Sequence, residues 1–152
     1  MYCCVVLDTY SRRVVGWSID VSPNAALVTN ALGMAIEARL GKTAEPGTII
    51  HFVRGSQSRS RKFLAALRRH DLKGSMGQVG AAGDNAAMES FFSLLQKNVL
   101  DRQRWTTRQH LRIAIITWIE RTYHRRRRQA RLGRLTPIEY ETIMTTQATQ
   151  SA

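Results

Sequence analysis

The sequence lacks any run of apolar residues long enough to span a membrane, and its start lacks the charged-then-apolar pattern of a signal peptide. These absences argue against membrane and secreted proteins and predict a cytoplasmic one. Cysteine is scarce too. Cys3 and Cys4 are adjacent in a predicted strand, and neither has a His or another Cys at metal-ligand spacing. We therefore expect both cysteines to be buried packing residues.

Acidic residues are few, with 11 Asp and Glu against 23 Lys and Arg, which gives a formal net charge of +12. A chain of 152 residues has the length of one domain. So large a surplus of basic residues on a small domain is typical of a protein whose partner is a polyanion. The surplus is concentrated between Asp101 and Arg134, where Asp101 and Glu120 are the only acids. The arginines there are at positions 102, 104, 108, 112, 121, 125, 126, 127, 128, 131 and 134.

Four of these arginines, Arg125, Arg126, Arg127 and Arg128, are consecutive. Four adjacent like charges repel one another unless a partner neutralises them, and the fixed fork of donors on arginine suits phosphate. The alternative is a charged surface that contacts only solvent. Because no strongly apolar face accompanies the run, we favour nucleic acid over a membrane surface as the partner.

The order of the predicted elements indicates an α/β domain with a mixed sheet. Two apolar strands, Tyr2–Leu7 and Val14–Ile19, flank a polar turn and predict an antiparallel hairpin. Asp8 ends the first strand, and we interpret it as a turn residue and not as a metal ligand. The later predicted elements are a helix after Pro23 that ends near Leu40, a strand over 48–52, a helix over about 59–70 and a strand over 72–76.

One carboxylate, Glu89, lies on a predicted helix that Gly83 and Asp84 introduce and that begins near Asn85. Its apolar stripe comprises Met88, Phe91 or Phe92, Leu95 and Val99, and its polar stripe comprises Asn85, Glu89, Ser93 and Gln96. The helical period therefore keeps Glu89 out of the core. From periodicity alone, an ordinary surface glutamate is the favoured interpretation.

A longer helix is predicted after Trp105, with a buried side formed by Leu111, Ala114 or Ile115, Trp118 and Ile119. The segment from Tyr123 to Arg128 is its basic end. A short last helix starts at Pro137, and the small polar residues 145–152 predict a frayed tail. We expect one domain over residues 1–144 and a flexible tail beyond it.

Two motifs resemble the catalytic core of bacterial insertion-sequence transposases related to retroviral integrases, cut short at its N-terminal end. One is the Asp-Asn-Ala of residues 84–86 followed by the Glu-Ser-Phe-Phe of residues 89–92, and the other is the His-Phe-Val-Arg-Gly-Ser-Gln of residues 51–57. The resemblance covers residues 1–141. It implies a ribonuclease H-like mixed sheet flanked by helices, with a helical C-terminal extension and without the first strand of the fold. We expect that loss either to leave a gap or to bring the strand at Ile49 into direct pairing with Tyr2–Leu7.

Members of this family carry two Asp and one Glu that hold divalent metal ions, Mg²⁺ or Mn²⁺, for phosphoryl transfer on DNA. The resemblance makes Glu89 the third acid and places the second at Val53, thirty-six positions earlier, where the side chain has no oxygen. The first acid belongs to the strand that precedes Tyr2–Leu7 in the family. Glu89 is thus the one remaining metal ligand, and we expect productive metal binding and catalysis to be absent.

The resemblance also implies DNA contacts, at transposon ends and target, through Arg54, Asn85, Gln96 and the Arg125–Arg128 run. Gln96 occupies the place of a basic residue of the family, while His124 and Gln129 stand where the family has Asn and His. A homo-oligomer is expected in the family. Three functions remain open: an active transposase core, a catalytically degenerate DNA-binding protein of that family, and an unrelated basic nucleic-acid-binding module. We favour the second.

Overall fold

The computed structural model describes residues 1–39, 49–52, 60–76 and 82–151. These divide into two compact units, one made of Met1–Leu7 with Val15–Ala86 and the other of Asp8–Val14 with Ala87–Ala152. The chain is mixed α/β, with short strands and more helix than strand. The prediction that residues 1–144 are one domain stays a prediction.

Four strands are described: β1 (Tyr2–Leu7), β2 (Val14–Asp20), β3 (Ile49–Phe52) and β4 (Lys73–Met76). β1 pairs with β2 across residues 8–13, a connection too short for a parallel crossover, so the predicted antiparallel hairpin is confirmed. β3 pairs with β4 in parallel, with Ile49 opposite Lys73 and Phe52 opposite Met76. The described strands thus form two separate two-stranded sheets, and the predicted alternative in which the Ile49 strand pairs with Tyr2–Leu7 is wrong.

Two helices cover the strands of the first unit. α1 (Ala25–Arg39) packs on β1 and on α2 (Arg61–Arg69), whose first turn is capped because the Ser60 hydroxyl accepts the Phe63 amide proton at 3.1 Å. Both helices lie where the sequence predicts them. The buried cluster of this unit comprises Leu32, Ile36, Phe63 and Leu67, with Val28, Ile50, Ala66 and Leu72 packed against it.

The second unit is helical. α3 (Ala82–Asn98) is followed by a 3₁₀ turn (Leu100–Arg102), α4 (Arg108–Thr117), a π-helical turn (Trp118–Tyr123), a second 3₁₀ turn (Ala130–Leu132) and α5 (Pro137–Ser151). Because α3 begins at Ala82, Asp84 lies inside the helix, and the predicted start near Asn85 is wrong by one turn. The long helix predicted to follow Trp105-Thr106-Thr107 begins at Arg108, with Thr107 as its cap, so its predicted start is confirmed. It continues into the π-helical turn.

α5 is longer than the short helix predicted, since it continues to Ser151 through the segment expected to be frayed. Its start at Pro137 is confirmed. Thr136 and Glu139 cap it reciprocally: the Thr136 amide donates to Glu139 Oε1 at 3.1 Å, and the Glu139 amide donates to Thr136 Oγ1 at 3.2 Å. The flexibility of residues 145–152 stays a prediction.

The core of the second unit is aromatic. The Phe91 ring lies 5.7 Å from that of Trp118 and 5.1 Å from that of Tyr123, and all three side chains are buried. On the opposite stripe of α3, Glu89 and Gln96 are exposed, which confirms the predicted division of this helix into an apolar and a polar stripe. Phe92 is 36% exposed, so Phe91 is the core member of the pair.

The loop at Asp8 is held by local hydrogen bonds. Asp8 Oδ1 accepts the amide protons of Tyr10 at 2.8 Å and Ser11 at 3.3 Å, as the interpretation of a turn residue requires. Cys3 and Cys4, in β1, are half-buried, and burial raises the pKa of each thiol to about 11. Both are less buried than predicted, and their packing role stays a prediction.

Candidate nucleic-acid interface

Glu89 lies on the exposed side of α3, among polar neighbours. Ser93 and Gln96 are exposed one and two turns further along, since a spacing of seven residues returns to nearly the same face about 10 Å on. The Gln96 side-chain amide donates to Asp101 Oδ1 at 2.6 Å. Gln96, which stands where the family has a basic residue, is therefore hydrogen-bonded to Asp101. Its side-chain amide is less available to a phosphate for that reason.

The other residues predicted for the site of Glu89 are described in part or not at all. Asn85 lies in α3, four positions before Glu89. Val53 and Arg54 lie outside the described residues. The roles predicted for Val53, as the position of the second acid, and for Arg54 and Asn85, as DNA contacts, therefore stay predictions.

The described donor set at Glu89 is short of the ligands that a divalent metal pair needs. Mg²⁺ needs several oxygen ligands in a nearly octahedral arrangement, usually from carboxylates that converge from distant parts of the sequence. Across residues 1–39, 49–52, 60–76 and 82–151, no three His, Cys, Asp or Glu side chains are grouped closely enough to hold a metal ion. Glu89 offers one carboxylate, and Val53, by its chemistry, offers none.

The four consecutive arginines lie in the turn that follows the π-helical segment. The amides of Arg126 and Arg127 both donate to the Thr122 carbonyl, at 3.0 and 2.8 Å, and this closes the turn. The side chains of Arg125, Arg126 and Arg128 are exposed and that of Arg127 is half-buried. The predicted basic run thus forms a turn and is not the end of a straight helix.

Two of these arginines have partners within the protein. The Arg127 guanidinium lies 5.9 Å from the centre of the Tyr123 ring, within the range of a cation–π contact. Arg128 lies 3.8 Å from a carboxylate oxygen of Glu139, with 65% of its side chain exposed. The side chains of Arg125 and Arg126 make no hydrogen bond or ion pair with the described residues, and they are the freest of the four for an external anion.

His124, immediately before this turn, is a buried residue whose role sequence reasoning missed. Its Nε2 accepts the Val14 amide proton at 2.9 Å, so Nδ1 carries the ring proton, and Nδ1 lies 3.4 Å from Glu120 Oε2. Burial is the main cause that lowers its pKa from the ordinary value of 6.5, while Glu120 opposes that shift. The spacing of Glu120 and His124, one helical turn apart, was the available signal.

The loop of residues 8–14 is attached to α5 as well. Ser11 Oγ donates to Glu141 Oε1 at 2.9 Å, and the Arg13 guanidinium donates to Glu141 Oε2 at 3.0 Å. Together with the bond from Val14 to His124, these contacts attach the loop to α5 and to the residue that immediately precedes the arginine turn. The backbone position of that turn therefore depends on side chains far apart in the sequence.

Two family models, both described as the integrase core domain, match the chain over residues 1–82 and 70–137. The chain therefore belongs to the integrase core family, and its relatives are insertion-sequence transposases. The transposase InsF of insertion sequence IS3A from Escherichia coli (strain K12) is 37% identical over 141 residues, which are 93% of this chain and 48% of that protein. The transposase of insertion sequence IS629 from Shigella sonnei is 33% identical over 141 residues, 93% of this chain and 46% of that protein.

The chain thus spans about half the length of these curated relatives. Among solved structures, it is similar to a chain of the simian T-cell lymphotropic virus intasome in complex with the PP2A regulatory subunit B56 gamma. The match has a TM-score of 0.54 and 19% identity, over 76% of this chain and 41% of that one. At that identity the likeness concerns the fold alone. No helix among the described residues is both long and apolar enough to cross a membrane.

Proposed function

We propose that this chain is a DNA-binding core segment of an insertion-sequence transposase in which the metal-dependent chemistry is degenerate. Its membership of the integrase core family and its curated transposase relatives support the DNA substrate. The observation that carries the proposal is the arginine turn, Arg125–Arg128, in which three of the four side chains are exposed, in a chain with a net charge of +12. Such a surface neutralises phosphates whatever the base sequence.

For the fold, we propose the ribonuclease H-like arrangement. The support is the order of the described elements, in which a hairpin is followed by a parallel pair of strands with α2 between them. The likeness to the viral intasome, at a TM-score of 0.54, agrees with this arrangement.

The DNA-binding proposal is tested by the salt dependence of affinity. Each phosphate contact contributes about −0.9 to the slope of log K against log salt concentration. Arg125→Gln with Arg126→Gln removes the two arginines that have no described partner, so we expect the slope to become less negative by about 1.8. Fluorescence anisotropy on a random 20-base-pair duplex, at several salt concentrations, measures it.

A matched control separates this turn from general charge. Arg68→Gln with Arg69→Gln removes the same two charges from two exposed adjacent arginines in α2, within the other unit. We expect that control to leave the slope almost unchanged. Equal slopes for the two double variants would contradict a specific role for the turn, and no measurable duplex binding by the parent would contradict the DNA-binding proposal itself.

The degeneracy of the chemistry rests on Val53 and Glu89. In the family the two positions are carboxylates, and a valine at the first leaves Glu89 without its partner ligand. We propose that Mg²⁺ and Mn²⁺ bind here no more tightly than to an ordinary surface glutamate. A single carboxylate without bound metal ions cannot position the reacting groups for phosphoryl transfer.

Two readouts test this. Electron paramagnetic resonance of Mn²⁺ should show no tight site, and Glu89→Gln should change the titration no more than Glu37→Gln, a control at an exposed glutamate in α1. Plasmid nicking with Mn²⁺ should stay at background, and Val53→Asp alone should not restore it, because the family uses a third acid. Robust nicking by the parent that Glu89→Gln abolishes would overturn the degenerate assignment.

A further inference from the structure

A groove of about 650 Å³ lies within the second unit. One wall is the end of α3 and the 3₁₀ turn, the other is the last half of α4 and the π-helical turn, and the extended segment before α4 contributes Trp105. All of the residues that line the groove lie between Asn98 and Arg126, within the described part of the chain. Its volume is in the range that holds a small organic ligand.

The lining of this groove is cationic. Arg102, Arg121 and Arg126 line it with His110, and none of the described residues that line it is acidic. The guanidinium groups of these three arginines make no ion pair or hydrogen bond with described residues. Three unneutralised guanidinium groups around one concavity attract an anion, and their planar forks suit phosphate oxygens.

The groove is also aromatic. Trp105 and Trp118 both line it, and Trp118 is mostly buried while Trp105 is half-buried. The indole Nε1 of Trp105 is buried and has no hydrogen-bond partner among the described residues. A buried donor without an acceptor costs stability, so an occupant that brought an acceptor to Nε1 would offset that cost.

We propose that this groove binds an unpaired nucleotide of DNA, with its base against Trp105 and its phosphates on Arg121 and Arg126. The proposal rests on the DNA-binding function and adds to it a distinct subsite for single strands. A base inside a duplex is stacked on both faces, so an indole reaches a free base face only at an unpaired or extruded nucleotide. Interleaved arginines and an aromatic platform are the features that hold single strands without sequence preference.

The experiment compares a single-stranded oligothymidine with a blunt duplex of the same charge, both labelled, on the full 152-residue chain. Because stacking of one base contributes roughly a fivefold or larger factor in affinity, Trp105→Ala should weaken oligothymidine binding about fivefold or more. Trp105→Phe keeps a ring and should retain most of the affinity. An oligomer of the same length with abasic sugars should bind the parent as weakly as oligothymidine binds Trp105→Ala.

Arg121→Gln tests the phosphate contact, with Arg104→Gln as its control. Both residues are exposed, both changes remove one charge, and Arg104 does not line the groove. Arg121→Gln should weaken oligothymidine binding severalfold more than Arg104→Gln does. Circular dichroism and thermal melting of every variant verify that the chain is still folded.

The outcomes separate the two proposals. Loss of oligothymidine binding with duplex binding intact supports the groove, and equal effects of Trp105→Ala and Trp105→Phe, or of the two arginine variants, overturn it. If the parent binds the abasic oligomer as tightly as it binds oligothymidine, the groove proposal is also overturned. Displacement of oligothymidine by polyglutamate at equal charge would identify the groove as an acidic-peptide site instead. Absence of duplex binding would count against the proposed function alone.

Discussion

Replacing His124 with leucine removes one hydrogen-bond acceptor from the interior of the second unit while keeping a side chain of similar bulk. The Val14 amide, which donates to His124 Nε2 at 2.9 Å, would lose its partner in a buried setting. A buried donor left unsatisfied costs about 1–3 kcal/mol. For a chain of this length, each kcal/mol corresponds to roughly 2–4 °C in Tm, so a cost of about 2 kcal/mol lowers Tm by about 4–8 °C.

The same substitution has a pH signature. Burial lowers the pKa of His124, and Arg13 adds to that, while Glu120 and Glu141 oppose it. A lowered pKa means that the unfolded chain binds the proton more readily. The stability that neutral His124 contributes is therefore fully present above pH 6.5 and is lost as pH falls from 6.5 through the lower folded-state pKa.

Thermal melting by circular dichroism at pH 7.5 and at pH 5 measures both effects. The Tm gap between the parent and His124→Leu should be several degrees at pH 7.5 and should narrow at pH 5, because only the parent loses this contribution. His110→Leu, at an exposed histidine of α4, is the matched control and should shift Tm little at either pH. A gap of less than one degree at pH 7.5, or a gap independent of pH, would refute the assigned role of the Nε2 acceptor.

Two pairs of substitutions test the packing of the two units. Phe91→Ala should destabilise the chain by about 3–5 kcal/mol because it empties the centre of the aromatic cluster. Phe92→Ala, at a more exposed side chain of α3, should cost far less. Denaturant unfolding measures the free energy of unfolding of both variants. Gly16→Ala should destabilise because its new methyl group would collide with the Ala31 carbonyl of α1. Gly33→Ala, which meets nothing within 4 Å inside the same helix, should stabilise by about 0.5–1 kcal/mol, and a reversed order would contradict this packing.

Local periodicity predicted most of the secondary structure. The alternation of short apolar runs and helical stripes located β1, α1 and α2, and the polar stripe placed Glu89 on the exposed side of α3. The boundaries that were wrong depend on tertiary context. α3 starts a turn early although Asp84 is a good cap, because a capping preference of about 1 kcal/mol is small beside the packing of a long helix.

The sequence could not predict the interactions that join distant segments. The bond between Val14 and His124 spans 110 positions, and that between Ser11 and Glu141 spans 130. Neither follows from a local pattern, since both residues of each pair have ordinary local roles. The groove around Trp105 could not be predicted either. The sequence predicted a basic segment, but its arginines line one groove only because of the π-helical turn, which no periodicity in the sequence indicated.

The arginine turn and the start of α5 share one carboxylate, and this coupling allows a last prediction. Glu139 accepts the Thr136 amide proton as part of the helix cap, and that bond, more than the attraction of Arg128, holds the pKa of Glu139 below its usual value. Its charge lies 3.8 Å from Arg128 and so offsets part of the charge available to a phosphate. Glutamine at this position keeps the acceptor that the cap needs but carries no charge.

Glu139→Gln should therefore tighten duplex binding and make the salt slope more negative, by at most the roughly 0.9 that one phosphate contact contributes, with little change in Tm. Glu139→Ala also removes the charge but loses the capping side chain, so it should show the same change in slope together with a lower Tm. Fluorescence anisotropy and thermal melting on the two variants distinguish the electrostatic role from the capping role. If both variants bind duplex DNA like the parent, Glu139 does not moderate the turn, and Arg128 makes no contact with phosphate.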